Sequence, residues 1–176
     1  MILAIPIGNN GLLHYQFVKS LLSCSEYKHM FAVGLYIEDN RNSIYRLTRD
    51  QDVLMIDSDM VFTLDDVRKM EEHLKDKDVV TGLYRMGLDN APHAIFKNNQ
   101  LVEPKKDMFE VDACGAGFLG ISHRVKLEEP FNRAFNQETN MVRGEDMSFC
   151  DRIKEEGLKI WCDPSIKLGH IKTKVI

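Results

Sequence analysis

The chain has 176 residues, of which 44% are hydrophobic and 28% charged, and its formal net charge is −4. This length and composition are typical of one globular domain, so a single domain is predicted over residues 1–176. The negative charge and the lack of a basic stripe argue against nucleic acid as the main partner.

The N-terminal segment MILAIPIGNN is apolar but short, and no apolar run in the sequence reaches the length of a membrane span. Because this segment lacks a positively charged start and ends in turn residues, it predicts a first strand rather than a signal peptide. The four cysteines form no closely spaced pair of zinc-ligand type. We therefore expect a cytoplasmic protein whose cysteines are reduced and fill small apolar positions in the core.

Apolar runs and helical spacings alternate along the chain, which is typical of an α/β domain. Strands are predicted at 2–7, 31–37, 53–57, 78–84 and 158–162. Helices are predicted from Leu13 to about Cys24, from after residues 39–42 to about Arg49, from Thr63 as cap to about Leu74, and from Gly144 to a cap at Gly157. Between them we expect a hairpin at 91–104, a strand pair broken by glycines at 109–122, and a mobile loop at 128–143.

An acidic triplet, Asp57-Ser58-Asp59, directly follows the apolar run VLMI at 53–56. Apolarity without alternation indicates a strand covered on both faces, and ligands of such sheets bind beyond the carboxyl ends of the strands. Unpaired carboxylates are costly there unless they hold a cation, and Mg²⁺ or Mn²⁺ takes one or two of them together with substrate phosphates. The triplet therefore predicts Mn²⁺ or Mg²⁺ as cofactor, and a solvated turn that caps the next helix is the alternative.

Two later segments carry further candidate residues. Glu145 and Asp146 open a predicted helix, where acids also complement the helix dipole without any catalytic role. His170 stands in the segment KLGHIK. A lone histidine is more often an ordinary surface or core residue, yet neutral imidazole is a good manganese ligand beside carboxylates.

Taken in order, several segments resemble the GT-A glycosyltransferases, in particular the large inverting family 2 that includes cellulose and chitin synthases. They are AIPIGNN, EDNRNSI, LMIDSDMVFTLDDV, VVTGLY, DACGAGFLGIS, GEDMSFCDRIKEEGLKIW and the late GH. The resemblance spans nearly the whole chain. It implies a single-domain GT-A (Rossmann-like) sandwich with a mostly parallel central sheet flanked by helices. It also implies metal-dependent, inverting transfer of a sugar from a nucleoside-diphosphate-sugar to an acceptor hydroxyl of unknown identity.

The same resemblance assigns the nucleotide contacts. Pro6 and Ile7, at the end of the opening strand, would lie against the base. Asp57 and Ser58 would contact the donor, with Asp57 reaching the ribose, or the metal through water. Arg41 would bring positive charge near the diphosphate, and a surface salt bridge is an equally good account of it.

The resemblance also assigns the metal ligands and the catalytic residues. By resemblance, Asp59 would bind the metal directly, with His170 as a second ligand and Asp57 nearby. Asp146 would take the proton from the acceptor hydroxyl, and Glu145 would orient the acceptor.

Other interpretations stay open. The run Gly115 to Gly120 spells GxGxxG, but a strand-like FLGIS follows it, so close backbone packing is favoured over dinucleotide binding. IDSDMV and GED also resemble motifs of haloacid-dehalogenase-type phosphatases, in which Asp57 would be a covalent nucleophile. A nucleotide-sugar-binding module without turnover is the non-enzymatic alternative.

Overall fold

The computed structural model describes residues 1–8, 11–87, 90–136 and 140–172. Within them, helices and strands alternate over the first half of the chain, and short strands dominate the second half. The helices are α1 (Tyr15–Ser23), α2 (Ile37–Leu47), α3 (Leu64–Leu74) and α4 (Glu145–Glu155). The strands are β1 (Ile2–Ile7), β2 (Lys28–Val33), β3 (Val53–Ile56), β4 (Met60–Val61), β5 (Val79–Leu83), β6 (Ile95–Lys97), β7 (Gln100–Leu101), β8 (Phe109–Val111), β9 (Ala113–Cys114), β10 (Phe118–Ile121), β11 (Ala134–Asn136), β12 (Met141–Arg143), β13 (Ile160–Lys167) and β14 (Gly169–His170).

A seven-stranded sheet in the order β2-β1-β3-β10-β5-β13-β8 forms the centre of the fold. Strands β2, β1, β3, β5 and β13 run in one direction, and β10 and β8 run against them. The predicted α/β class is therefore confirmed, with a mostly parallel sheet that contains an antiparallel strand at its middle. As a consequence, β1, β3, β5 and β13 all end at the same edge of the sheet.

Helices cover both faces of this sheet. Residues of α1 and α3, such as Phe17 and Met70, pack on one face with Leu54 of β3. Residues of α2 and α4, such as Ile44 and Phe149, pack on the other face. This confirms that the apolar run of β3 is buried on both sides. All four cysteines are buried and free, which also agrees with the expectation from sequence.

Local signals predicted several element ends correctly. Thr63 caps α3: its hydroxyl accepts a hydrogen bond from the Asp66 amide at 3.2 Å, and the Asp66 carboxylate accepts one from the Thr63 amide at 2.9 Å. Gly157 follows α4 with φ of +71°, a conformation that favours glycine after a helix end. None of the described helices is long and apolar enough to cross a membrane.

Four sequence predictions were wrong in extent. The second strand was expected at 31–37, but it runs from Lys28 to Val33. Leu35 and Tyr36 beyond it are apolar yet exposed, so apolarity there does not mark a strand. The second helix was expected after residues 39–42, but α2 already begins at Ile37 and contains them. The expected loop at 128–143 contains the β11–β12 hairpin, although 137–139 lie outside the described residues. The last strand continues to Lys167, well past the predicted end.

Candidate functional site

The acidic triplet lies where β3 ends, at the shared carboxyl edge of the parallel strands. The Asp57 amide donates to the Gly117 carbonyl at 3.0 Å, and the Met60 amide donates to the Asp57 carbonyl at 3.1 Å. This tight turn leads into β4, which pairs with β14 near the C-terminus, with Met60 opposite His170. The backbone thus brings a residue of the tail beside the triplet.

Arg41 joins three separate elements at this edge. Its Nη2 donates to Asp57 Oδ1 at 2.6 Å, and its Nη1 donates to Glu145 Oε1. The Arg41 side chain is only 3% exposed, so the predicted alternative of a surface salt bridge is wrong. Its charge is shared between two carboxylates, which links α2 and the end of β3 to the start of α4.

Burial and charge act against each other in this cluster. Burial lowers the pKa of Arg41, but the charges of Asp57 and Glu145 outweigh it and raise the pKa above its usual value. Burial raises the pKa of Asp57; the Arg41 charge opposes this shift, and the charges of Asp59 and Glu145 add to it. The cluster therefore holds more negative charge than Arg41 alone compensates.

Replacing Arg41 by glutamine is expected to destabilise the fold. The change leaves Asp57 and Glu145 without their buried partner, and breaking a buried ion pair costs about 3–5 kcal/mol. We expect about 3 kcal/mol, because Asp57 keeps partial access to water. For a chain of this length such a loss lowers the Tm by about 6–12 °C, which thermal unfolding would measure.

Arg46→Gln is the matched control for this substitution. Arg46 lies on the same helix, but its ion pair with Glu129 is exposed on both sides. Such pairs contribute about 0.2–1 kcal/mol, so the control should unfold close to the parent temperature. Equal Tm values for Arg41→Gln and Arg46→Gln would contradict a stabilising role of the buried pair.

Asp59 and His170 face each other in a defined geometry. His170 Nδ1 lies 2.6 Å from the Arg85 carbonyl oxygen, which can only accept, so this nitrogen carries the hydrogen. His170 Nε2 lies 3.1 Å from Asp59 Oδ2. Because an ionised carboxylate oxygen can only accept, this contact requires either a second proton on the ring or a cation between the two atoms. Lys172 Nζ, at 3.6 Å from Asp59 Oδ2, is the nearest described cation of another side chain.

The position of the His170 ring is supported from several sides. The ring meets Tyr84 edge-on, with centroids 5.4 Å apart and planes at 90°. The Ile171 amide donates to the Asp59 carbonyl at 2.8 Å, which fixes the tail beside the triplet. This support matches the way in which ligand histidines are usually oriented, through a backbone carbonyl on the other ring nitrogen. Sequence reasoning missed Tyr84, because nothing near it in the chain indicates a contact with His170.

Asp146 lies in the first turn of α4, after the cap residue Gly144. Its Oδ1 accepts a hydrogen bond from the Met147 amide at 2.7 Å. Burial, reinforced by the charge of Glu145, raises the pKa of Asp146, while the Met147 amide and Arg41 oppose the shift. The net shift is upward, so at this helix start burial outweighs the stabilisation that the helix end gives to the ionised carboxylate.

The remaining predicted contacts lie at the end of β1 and in the triplet. Pro6 and Ile7 are buried at the carboxyl end of β1, and Ser58 is half-buried. The Ile7 carbonyl accepts a hydrogen bond from the Asn40 amide side chain at 2.8 Å. Asn40 is the residue before Arg41, so one turn of α2 holds both the end of β1 and the end of β3. Its role was not predicted, because a single asparagine within a helix carries no distinctive pattern.

The GxGxxG run packs closely against a side chain. A Cβ on Gly115 would lie 2.1 Å from the Tyr84 hydroxyl oxygen, and the Gly117 amide donates to that oxygen at 3.0 Å. Strand β10 begins at Phe118, within the run, and no helix begins there. The interpretation as close packing is therefore confirmed.

Within the described ranges, no group of three or more His, Cys, Asp and Glu side chains is arranged to hold a metal ion. Asp59 and His170 form a pair that could supply two ligands to a divalent cation. Further ligands would have to come from bound substrate and water, as is usual for Mg²⁺.

The fold is shared with proteins of different sequence. "A197 from STIV" aligns over 98% of this chain and 85% of its own length, with a TM-score of 0.71 and 19% identity. The "inositol-1-phosphate CTP transferase from T. maritima" aligns over 98% of this chain and 89% of its own, with a TM-score of 0.54 and 10% identity. No family model matches the sequence, and no curated protein matches it significantly. At these identities the two likenesses establish a common α/β fold.

Proposed function

We propose that the protein is a metal-dependent glycosyltransferase that uses a nucleoside-diphosphate-sugar. The observation that carries the proposal is the position of His170 Nε2, 3.1 Å from Asp59 Oδ2 at the carboxyl edge of the sheet. A divalent cation could replace the ring proton between these two atoms, and both would then be its ligands. Asp57, Glu145 and Asp146 lie nearby, and their negative charges would repel an anionic diphosphate. A bound cation would compensate this repulsion.

The described residues fit Mn²⁺ or Mg²⁺ as an open site with two protein ligands, Asp59 and His170. A bound ion of this kind supplies Lewis acidity to the oxygens of the leaving diphosphate. The chain orients the ligands for it: the Arg85 carbonyl fixes the tautomer of His170, and β14 pairs with β4 to hold the two side chains together.

Asp146 is the proposed general base. The acceptor hydroxyl attacks the anomeric carbon, its proton passes to the Asp146 carboxylate, and the bond from that carbon to the diphosphate breaks. A raised pKa makes this carboxylate a stronger base than an exposed aspartate. Glu145 and Arg41 position the start of α4 through their ion pair, and the second oxygen of Glu145 is left to orient the acceptor.

Asp57 and the end of β1 are assigned to the donor. Asp57 Oδ1 is held by Arg41, so its other oxygen would accept from the ribose hydroxyls. Pro6, Ile7 and Ser58 remain proposed nucleotide contacts. The alternative in which Asp57 is the covalent nucleophile of a phosphatase predicts a phosphoaspartate at this residue, which the transferase does not form.

Nucleotidyl transfer is a second candidate, favoured by the likeness to a CTP transferase. In that reaction an acceptor oxygen attacks the α-phosphorus of a nucleoside triphosphate, and pyrophosphate leaves. In both reactions Asp59 and His170 would hold a metal ion that supplies Lewis acidity to the phosphate oxygens, and the reactions differ in the bond that breaks.

The products of turnover distinguish these candidates. Incubation with Mn²⁺ and a panel of nucleoside-diphosphate-sugars is expected to release the nucleoside diphosphate, by slow hydrolysis even without the true acceptor. Incubation with CTP and the other nucleoside triphosphates should release no pyrophosphate. Pyrophosphate release would instead support nucleotidyl transfer. Metal-dependent thermal stabilisation by a sugar nucleotide without any product would support the binding module.

A further inference from the structure

A basic cleft lies beside the Asp59–His170 pair. It has a volume of about 840 Å³ and is formed at the carboxyl ends of β5 and β13, by a loop at 104–106 and by the tail. We define the basic cleft by its cationic residues, which are Arg85, Lys105, Lys106, Lys167 and Lys172. Among the described residues that line it, none is Asp or Glu. This concentration of positive charge stands out in a chain whose net charge is −4.

Most of this charge is not neutralised by the residues that the structure describes. Lys106 and Lys167 are exposed and form no ion pair with any residue that the structure describes. The Arg85 guanidinium donates to the Ala91 carbonyl at 2.7 Å, and Lys105 lies over the Phe109 ring. Among the carboxylates of the described residues, only that of Asp59 lies near one of these cations, Lys172. Uncompensated cations that line one concave surface are suited to a bound anion.

The order of the sheet separates the basic cleft from the proposed nucleoside side. The proposed base contacts lie at the end of β1, and the triplet follows β3, which is the neighbour of β1. The basic cleft lies beyond β5 and β13, on the other side of β3 and β10. His170 lines the cleft and also contacts Asp59, so the two regions meet at the proposed metal ligands.

We propose that the basic cleft binds the acceptor, and that the acceptor is an anionic molecule whose phosphate or carboxylate is held by Lys106 and Lys167. This inference rests on the proposed function, since it names the class of the second substrate. A donor bound across β1 and β3 places the reacting sugar near His170, and an acceptor in the cleft approaches it from the β5 side. The cations then hold a group remote from the attacking hydroxyl, which orients that hydroxyl for reaction.

Three probes with a common skeleton test the inference: glycerol 3-phosphate, glycerate and neutral glycerol. Binding is measured by NMR titration with saturating Mg²⁺ and UDP, and with GDP in parallel. The parent should bind at least one of the anionic probes more tightly than glycerol. The Lys106→Gln/Lys167→Gln variant should bind that probe about 10–100-fold more weakly, because two charge-assisted contacts are lost. Its affinity for the nucleoside diphosphate should not change.

Lys19→Gln/Lys28→Gln is the matched control, since it removes the same charge from exposed lysines outside the cleft. It should bind both the anionic probe and the nucleotide like the parent. Equal weakening by the control and the cleft variant would overturn the inference, as would no preference of the parent for an anionic probe. Weaker UDP or GDP binding in the cleft variant alone would assign the cleft to the donor diphosphate and also overturn it. A parent that binds neither nucleotide in the presence of metal would refute the proposed function itself.

Discussion

Asp146→Asn is expected to lower the rate of sugar transfer by about 10²–10⁴-fold, the usual contribution of general acid–base catalysis. The asparagine keeps the Oδ1 atom that accepts from the Met147 amide, so the start of α4 should remain in place. A base acts mainly in the transition state, where the hydroxyl loses its proton. Donor and Mn²⁺ affinity should therefore stay close to the parent values. Transfer rate and donor affinity are measured on the same variant.

Glu155→Gln provides the control on the same helix, because it removes one exposed carboxylate far from the helix start. It should transfer sugar at the parent rate. Sugar transfer by Asp146→Asn at nearly the parent rate would show that Asp146 only stabilises the start of helix α4. Loss of donor binding in that variant would point to a metal or diphosphate role and make Glu145 the next candidate for the base.

The dependence of activity on pH follows from the same residue. A general base must be deprotonated, so kcat/KM falls as the pH drops through its pKa. Burial and the Glu145 charge raise the pKa of Asp146. The acidic limb of the profile should therefore lie at higher pH than the value of about 3.9 for an unperturbed aspartate. In Asp146→Asn this limb should be absent from the residual activity.

Asp59→Ala is expected to abolish the Mn²⁺-dependent part of nucleoside diphosphate binding, with a loss of more than about 100-fold. Changes in residues that merely support metal ligands already cost about 10–100-fold, and Asp59 is proposed as a direct ligand. The fold should survive, because the side chain is partly exposed and the Ile171 amide bonds to the Asp59 backbone carbonyl. Calorimetry with and without Mn²⁺ measures the effect.

Two further variants are compared with Asp59→Ala in the same measurement. His170→Ala should weaken Mn²⁺ affinity by about 10–100-fold if the ring is the second ligand. Asp65→Ala removes a carboxylate that is exposed on α3 and, among the described residues, forms an ion pair only with the nearby Lys69, so it should bind like the parent. Unchanged, metal-independent binding by Asp59→Ala would remove the triplet from the metal site.

Local pattern was enough to predict the parts of the fold whose signals lie close together in the chain. Strand β1 was predicted to the residue, because its apolar run is bounded by a turn. The start of α3 was predicted from Thr63 as its cap, and Thr63 bonds to Asp66, three residues further along the chain. The acidic triplet was found because it directly follows an apolar strand. In each case the residues that determine the structure are neighbours in sequence, so propensity and spacing are sufficient.

The arrangement of the candidate site depends on contacts that no local pattern contains. Arg41 and Glu145 are separated by 104 positions, and Asp59 and His170 by 111. A charged residue within a helix predicts a surface position unless it is paired, and the partners of Arg41 become its neighbours only when β3 and α4 meet. The apolar run of β10 also does not indicate whether the strand lies parallel or antiparallel to its neighbours, because this depends on the strands with which it pairs. The burial of Arg41, the orientation of His170 and the basic cleft are therefore consequences of long-range packing, which joins segments that the sequence keeps apart.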